Sequence, residues 1–377
     1  MKMLCAPPPL STIDGSMGEA SKSLHLFELL SLRSQPCAGV SVGLTRRCPL
    51  SCRHCSTEST MTSEQHPAEI FARFVDTFTP ESRPEVLAMS GGEALLRPKL
   101  VRALAERARD AGARSSVLSG LFFASSGRIP PAIHDAIRSV DHFSVSIDAH
   151  HEQQVARADV FRVLETVMSD GIDVSVHVVG DDAEDPYIHG IVDDIRRIFD
   201  DRVPMLVNAI SSFGRARAWL TRKVTRPASV EVNPCAMAAW PVVGFDGTIV
   251  ACGNDDALQS VPPHLRLGHA MVDDWATIRT RSLESNMLRA IRLFGPEYIA
   301  QQFGRAEVGC SGYCGTCMEL GAHSAVDERV AEVMGKPSTA TLEAGVAMVV
   351  EQAGPQAFAR RQGIERFAEL VTLGARA

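Results

Sequence analysis

Between residues 40 and 208 the apolar residues of this 377-residue chain switch repeatedly between two periods. Val40, Val42 and Leu44 alternate with Ser41, Gly43 and Thr45, the period of a strand. Glu85–Ser90 is a short apolar strand. Strand signals recur over Ser115–Ser119, His142–Ile147, Ile172–Val179 and Val203–Asn208. Helical patterns lie between them. Leu96, Leu100, Leu104 and Ala108 share one helical face. Others cover 131–139, 157–169 and 187–199, the last with Ile188, Ile191, Ile195 and Ile198 on one face. About six strand–helix repeats predict an α/β fold with a parallel sheet, open or curled into a partial (β/α)6 TIM-like barrel.

Three of the strands are two-faced, the Val40–Thr45 run among them. Phe143, Val145 and Ile147 oppose Ser144, Ser146 and Asp148. Ile172, Val174, Val176 and Val178 oppose Asp173, Ser175 and His177. A parallel sheet covered on both sides should be apolar on both. The polar face is therefore read as lining a wet or ligand-filled interior; a half-exposed antiparallel sheet is the alternative.

Directly after the first strand comes Cys48-Pro49-Leu50-Ser51-Cys52-Arg53-His54-Cys55, a C-x3-C-x2-C run. Three thiolates so close in sequence can hold three irons of a [4Fe–4S] cube and leave the fourth iron open to a ligand. A zinc knuckle is the competing reading, but zinc would want a fourth ligand and the nearest is His54, inside the run. The chain has ten Cys, in groups at 48–55, at 235 and 252, and at 310–317, with Cys5 and Cys37 alone. No apolar run is long enough to span a membrane, and no signal-peptide core is present, so a soluble, cytoplasmic protein is expected. In that setting the Cys groups point to metal rather than disulfides. A net charge of −7 argues against a broad nucleic-acid footprint.

The second strand ends in Ser90-Gly91-Gly92-Glu93. With the Cys run, this resembles the radical S-adenosylmethionine (radical SAM) superfamily over roughly residues 38–215. The resemblance implies that Cys48, Cys52 and Cys55 hold a [4Fe–4S] cluster whose open iron binds SAM. An electron from that cluster would cleave SAM to methionine and a 5′-deoxyadenosyl radical, which takes hydrogen from an unactivated carbon. Gly91 and Gly92 would let backbone approach the methionyl group. Glu93 would accept a hydrogen bond from its amino group. Ser144, Ser146 and Asp148, on the polar face of the fourth strand, and Arg157 resemble further SAM contacts. His150, His151 and Glu152 beside Asp148 could suggest a second metal, but a solvated loop is the preferred reading.

Cys235, Gly247 and Cys252, followed by Cys310-x3-Cys314-x2-Cys317, resemble the SPASM/twitch extension of the superfamily. Gly244–Val250 reads as a β-hairpin with an Asp246-Gly247 turn that would bring Cys235 and Cys252 together. Gly214-Arg215-Ala216 resembles the family at the domain junction. The resemblance implies one auxiliary iron–sulfur cluster on Cys235, Cys252 and Cys317, with either Cys310 or Cys314 as the fourth ligand. The remaining thiol would be structural or a hydrogen donor to a substrate radical. A structural zinc is the alternative there.

The expected division is an N-terminal extension over 1–37, the partial barrel over 38–220, a β-hairpin plus helix auxiliary-cluster domain over 221–320, and C-terminal helices over 321–377. The extension is read as loosely ordered, with one amphipathic helix near Ser23–Leu32. The C-terminal helices carry packing stripes: Val330 and Val333; Leu342, Val346 and Val349; Phe358, Ile364, Phe367 and Leu370.

The resemblance leaves two enzyme readings. One is a maturase that crosslinks, oxidises or epimerises a peptide; the other is a small-molecule tailoring enzyme, such as a sugar or aminocyclitol dehydrogenase or epimerase. Either implies an external electron donor of the flavodoxin or ferredoxin type. With only about forty residues before the first strand, leader-peptide recognition would fall to a separate protein. An iron–sulfur electron carrier without turnover is the reading from another class.

Overall fold

The structure, a computed structural model, describes residues 23–220, 230–304 and 312–375. Helix α1 (Leu26–Arg33) leads into β1 (Gly39–Gly43), α2 (Ala68–Val75), β2 (Val86–Ser90), α3 (Pro98–Asp110), β3 (Arg114–Ser119) and α4 (Pro131–Ser139). The alternation continues through β4 (His142–Asp148), α5 (Arg157–Ser169), β5 (Asp173–Gly180), α6 (Pro186–Phe199) and β6 (Met205–Ala209). Then follow β7 (Val242–Val243), β8 (Thr248–Val250), α7 (Asp255–Gln259), β9 (Arg266–His269), α8 (Trp275–Glu284) and α9 (Asn286–Phe294). Last come α10 (Pro296–Phe303), α11 (Tyr313–Leu320), α12 (Ser324–Met334) and α13 (Pro337–Gln362). Local chemistry sets several of these bounds. Pro98, Pro131 and Pro186 open α3, α4 and α6, where a missing N–H is harmless. Asp185 caps α6 by accepting the Tyr187 N–H.

One nine-stranded sheet runs β6-β5-β4-β3-β2-β1-β7-β8-β9. Strands β1 to β6 are all parallel, which removes the antiparallel alternative. Strands β6 and β9 are its two edges. The apolar faces of β4 and β5 are buried against α5 and α6 through Val160, Leu164, Ile188 and Ile195. Ile198 departs from the expected stripe and is exposed; Phe199, one residue on, fills the core at the helix's last turn.

The polar face is internal but, at its lower end, not wet. His142 Nδ1–H donates to Leu24 O at 2.6 Å, and its Nε2 accepts from the Ser175 hydroxyl at 2.8 Å. Ser144 Oγ lies 3.0 Å from Ser175 Oγ, and Ser23 Oγ donates to Asp173 at 2.7 Å. The segment before α1 thus closes this end of the sheet. The sequence before residue 23, including Cys5, lies outside the described residues.

The hairpin β7–β8 is antiparallel and turns at Asp246-Gly247, with Gly247 at φ +92°. Strand β7 also runs parallel beside β1, pairing Val242 with Ser41. Trp240, just before β7, packs against Gly39, where an added Cβ would sit 2.5 Å from three ring carbons. Of the C-terminal stripes, Val330, Phe358, Ile364, Phe367 and Leu370 are buried as expected and Val346 packs against the core, but the ends of the middle stripe depart. Leu342 and Val349 are exposed, because α13 breaks at Gly354-Pro355 and only its second part, with Phe358 and Ala359, enters a core with Leu26 and Leu30. Ile364 is not helical; its N–H donates to Val207 O at 2.8 Å and covers the β6 edge. No helix among the described residues is long and apolar enough to cross a membrane.

Candidate functional site

The loop leaving the carboxyl end of β1 is strapped to the segment leaving β2. Leu44 N–H donates to Ser90 O, Gly92 N–H to Thr45 O at 2.7 Å, and Glu93 N–H to Arg47 O at 2.9 Å. The absent side chains of the two glycines permit this approach. A Cβ at Gly91, which has φ +154°, would lie 2.5 Å from Thr45 O, and one at Gly92 would lie 2.6 Å from Arg46 O and Arg47 O. On this frame the loop turns back on itself, with Cys48 N–H on Thr60 O and Cys55 N–H on Cys52 O.

Cys48, Cys52 and Cys55 stand near enough to act on one another's charge. Burial pushes the Cys48 thiol up to about 11 and the Cys52 thiol to about 12, with neighbouring negative charge adding to both. Cys55 differs: burial works against its thiolate, but hydrogen bonds from Thr57 and Ser59 and the Arg215 charge outweigh it and leave the thiol below its ordinary value. Arg215 follows the tight Gly214, donates its backbone N–H to Cys55 O at 3.0 Å and its Nη2 to Ser59 O at 2.5 Å. The sequence marks Gly214-Arg215-Ala216 as a motif, yet the guanidinium's place among the thiols is visible only in three dimensions.

Glu93 is 1% exposed. Its carboxylate accepts Leu95 N–H, Gly120 N–H and Ser119 O–H, all from the protein itself. Burial raises its pKa to about 7, and those hydrogen bonds pull it part of the way back. Asp148, at the end of β4, accepts the backbone N–H groups of His150 and His151 and faces His54 Nε2 at 3.4 Å. His151 is therefore buried, against Gly120 O, not part of a solvated loop. Ser146 points from the same face of β4, half-buried, whereas Ser144 is spent on Ser175. Arg157 does not stand free: Glu152 at 2.9 Å and Asp194 at 2.6 Å hold its guanidinium. A pocket of ≈530 Å³ opens beside the loop, lined by Ser51, Arg53, His150, Gln153 and Gln154.

A second thiol group forms where β7, β8 and α11 meet. Cys235, Cys252, Cys314 and Cys317 act on one another's charge. Burial raises the Cys252 thiol to about 12 and pushes the Cys317 thiol far up. Cys314 is the exposed member of the four. Tyr313 O–H donates to Asn233 O at 2.6 Å beside them. Cys310 lies outside the described residues.

Among the described residues no three His, Cys, Asp or Glu side chains converge on a point that one metal ion would fill. A four-iron cube spreads its thiolates over separate irons, and wider thiol groups suit it. Of ten unpartnered buried side-chain atoms among the described residues, seven lie near such groups, and Arg83 Nε, Tyr187 Oη and Trp275 Nε1 do not belong to them. His54 Nδ1, His151 Nδ1 and Arg215 Nε cluster at the first site; Arg33 Nη1, both His264 nitrogens and Thr316 Oγ1 lie around or beside the second. Buried polar groups are rarely left without partners unless something else occupies the space before them.

Residues 42–195 match the family model described as the radical SAM superfamily. The match is confined to that stretch, which runs from the end of β1 through β5 and holds the Cys48–Cys55 loop. No curated protein matches the sequence. Among solved structures, SuiB of Streptococcus suis bound to S-adenosylmethionine is 12% identical, with a TM-score of 0.47 and coverage of 64% of either chain. The chain thus spans just under two thirds of SuiB. The enzyme anSMEcpe with bound AdoMet and the Cp18Cys peptide is 11% identical, with a TM-score of 0.45, 82% of this chain and 99% of that one. BtrN in complex with AdoMet and 2-DOIA is 13% identical, with a TM-score of 0.36, 68% of this chain and 87% of that one. Likenesses this distant carry no argument about activity.

Proposed function

We propose that this chain is a radical SAM enzyme that modifies a peptide side chain by abstracting hydrogen from carbon. The observation that carries the reading is the thiol triad of Cys48, Cys52 and Cys55 strapped by backbone hydrogen bonds to Gly91-Gly92-Glu93 inside the stretch that matches the radical SAM family model. When bound, a [4Fe–4S] cluster and S-adenosylmethionine would supply a 5′-deoxyadenosyl radical at this place.

The protein's own groups have distinct tasks in this reading. Cys48, Cys52 and Cys55 hold three irons. Arg215 balances the thiolates' charge. Gly91 and Gly92 let the thiol loop close onto the end of β2, and Glu93 holds the Gly120 and Leu95 N–H groups so that the pocket wall keeps its shape. Ser146 and Asp148 face the ligand from β4, with Asp148 also orienting His54. Ser144 and Arg157 support this wall at one remove, through Ser175 and through Glu152 and Asp194. Cys235, Cys252, Cys314 and Cys317 would hold one auxiliary cluster, which leaves Cys310 as the spare thiol. An external flavodoxin- or ferredoxin-type donor would deliver the electron.

A second reading, a small-molecule tailoring enzyme, is favoured by the ≈530 Å³ pocket beside the loop, a size that suits a small ligand. Anaerobically reconstituted protein tests the shared chemistry. Reduced protein should turn SAM into 5′-deoxyadenosine, and SAM should change the EPR spectrum of the reduced cluster. Absence of both would refute the proposal. Mass spectrometry with candidate peptides and small polyols then separates the two substrate classes.

A further inference from the structure

Arg33 ends α1, about two hundred residues before the second thiol group in sequence, and yet its half-buried side chain lies near enough to that group to feel its charge. It stacks 4.9 Å from the Trp240 ring, and its Nη2 lies 3.9 Å from Met237 Sδ, two residues past Cys235. Its Nη1 is buried with no acceptor. Among the described residues no carboxylate pairs with it. Burial draws its pKa down to about 10, and the groups that push it back up are the thiols of Cys252 and Cys235. It therefore remains a cation at neutral pH. A half-buried cation without an anion is costly to keep. The surroundings hold it in place all the same: Trp240 Nε1–H donates to Leu32 O at 3.0 Å, and the ring is seated on Gly39.

We propose that Arg33 is the charge partner of the auxiliary cluster and raises its reduction potential. The inference rests on Cys235, Cys252, Cys314 and Cys317 being that cluster's ligands. One-electron reduction adds a negative charge to a thiolate-bound cluster that is already anionic. A guanidinium held beside the group, with Nη1 shielded from water, stabilises the reduced form more than the oxidised one, and net charge near a cluster is among the determinants of its potential. The unused Nη1–H gives the same side chain a hydrogen bond to offer a thiolate or sulfide.

The test is an EPR-monitored potentiometric titration of the full chain carrying Cys48→Ala, Cys52→Ala and Cys55→Ala, which leaves one cluster to observe. Arg33→Gln should lower the midpoint by a tenfold change or more in the reduction equilibrium, 59 mV for one electron, with iron content retained. Arg33→Lys, which keeps the charge, should hold the midpoint near that of the parent. A Gln variant with full iron and the parent's midpoint overturns the proposal. So does a Lys variant shifted as far as the tenfold mark, and this arm decides if the Gln variant does not fold. Loss of iron from a Gln variant that melts like the parent would make Arg33 a structural prop and also overturn it. A parent that binds no iron at all refutes the auxiliary-cluster reading itself, a result distinct from the others.

Discussion

Replacing Glu93 with Gln should abolish a pH dependence that the cofactor-free protein carries. The carboxyl is 1% exposed and sits between Leu95, Ser119 and Gly120. Burial lifts its pKa from 4.5 to about 7, against the pull of its hydrogen bonds. A carboxyl whose folded pKa lies above its unfolded value contributes stability below the unfolded pKa. That stability is lost as pH rises through the folded pKa. At about 1.4 kcal/mol per pH unit, the gap is worth about 3 kcal/mol. Most of it, about 2.5 kcal/mol, falls between pH 5 and pH 8. The amide has no such dependence. It carries a constant penalty of about 1–3 kcal/mol, because its NH₂ must face the Leu95 or the Gly120 N–H group. Urea unfolding of cofactor-free wild type and Glu93→Gln at pH 5 and pH 8 measures the difference. Wild type should lead at pH 5 and lose about 2.5 kcal/mol of that lead by pH 8. A lead that changes by less than about 1 kcal/mol would show that Glu93 is not a desolvated ionisable group, and the account of the loop's anchor would fail.

Gly92→Ala forces a Cβ to 2.6 Å from Arg46 O and Arg47 O, so the straps to Thr45 and Arg47 should part at a cost of about 2–4 kcal/mol; iron analysis should find the first site depleted and the second intact. Cys52→Ala should abolish 5′-deoxyadenosine formation, whereas Cys252→Ala should keep some SAM cleavage and lose product, both read by chromatography. Desolvation lowers the pKa of half-buried His177 to about 4, so it lowers stability as pH falls from 6.5 to 4; with the ring partly screened by water, His177→Leu should lose about 1–2 kcal/mol less over that window in acid unfolding. Gly39→Ala should drive Trp240 off its seat, at about 1–3 kcal/mol, and loosen iron at the second site alone.

The alternation of periods was enough to locate the six parallel strands, and the stretches 131–139 and 157–169 coincide with α4 and α5. These elements each present several apolar residues at one spacing, so the pattern is redundant. Strand β7 has only two residues, Val242 and Val243, and two residues have no period. Its place beside β1 depends on Trp240 filling the space above Gly39, a fit between positions far apart. The thiol triad and Gly91-Gly92-Glu93 were legible as motifs because each is local. His151 was misread because its burial comes from Asp148 gathering two backbone N–H groups into a turn. Arg157 matched a spacing, but Asp194, on another helix, takes the guanidinium. Arg33 gave no signal at all, since nothing near it in sequence is acidic enough to draw attention except Glu28, which pairs with Arg114. The α13 stripe failed because Gly354-Pro355 turns the second part toward the core and leaves Leu342 and Val349 outside.

The sheet also decides how the two thiol groups stand to each other. Cys48 follows the carboxyl end of β1. Strand β7 lies parallel to β1, with Val242 beside Ser41, and Cys235 approaches β7 from its amino side. Strand β8 runs back antiparallel and places Val250 beside Val242, so Cys252 emerges at that same amino side. The two groups therefore flank opposite ends of the β1–β7 pair, about 16 Å of strand for the five residues of β1 at about 3.3 Å each. The arrangement separates two demands. A loop at the carboxyl ends can be open to a ligand, as sites on parallel sheets usually are. A group at the amino ends can be enclosed by α1, Trp240 and α11, where Arg33 supplies its charge. Arg33→Gln on the amino side should then change the second site's potential while SAM cleavage at the first, at the other end of the β1–β7 pair, continues.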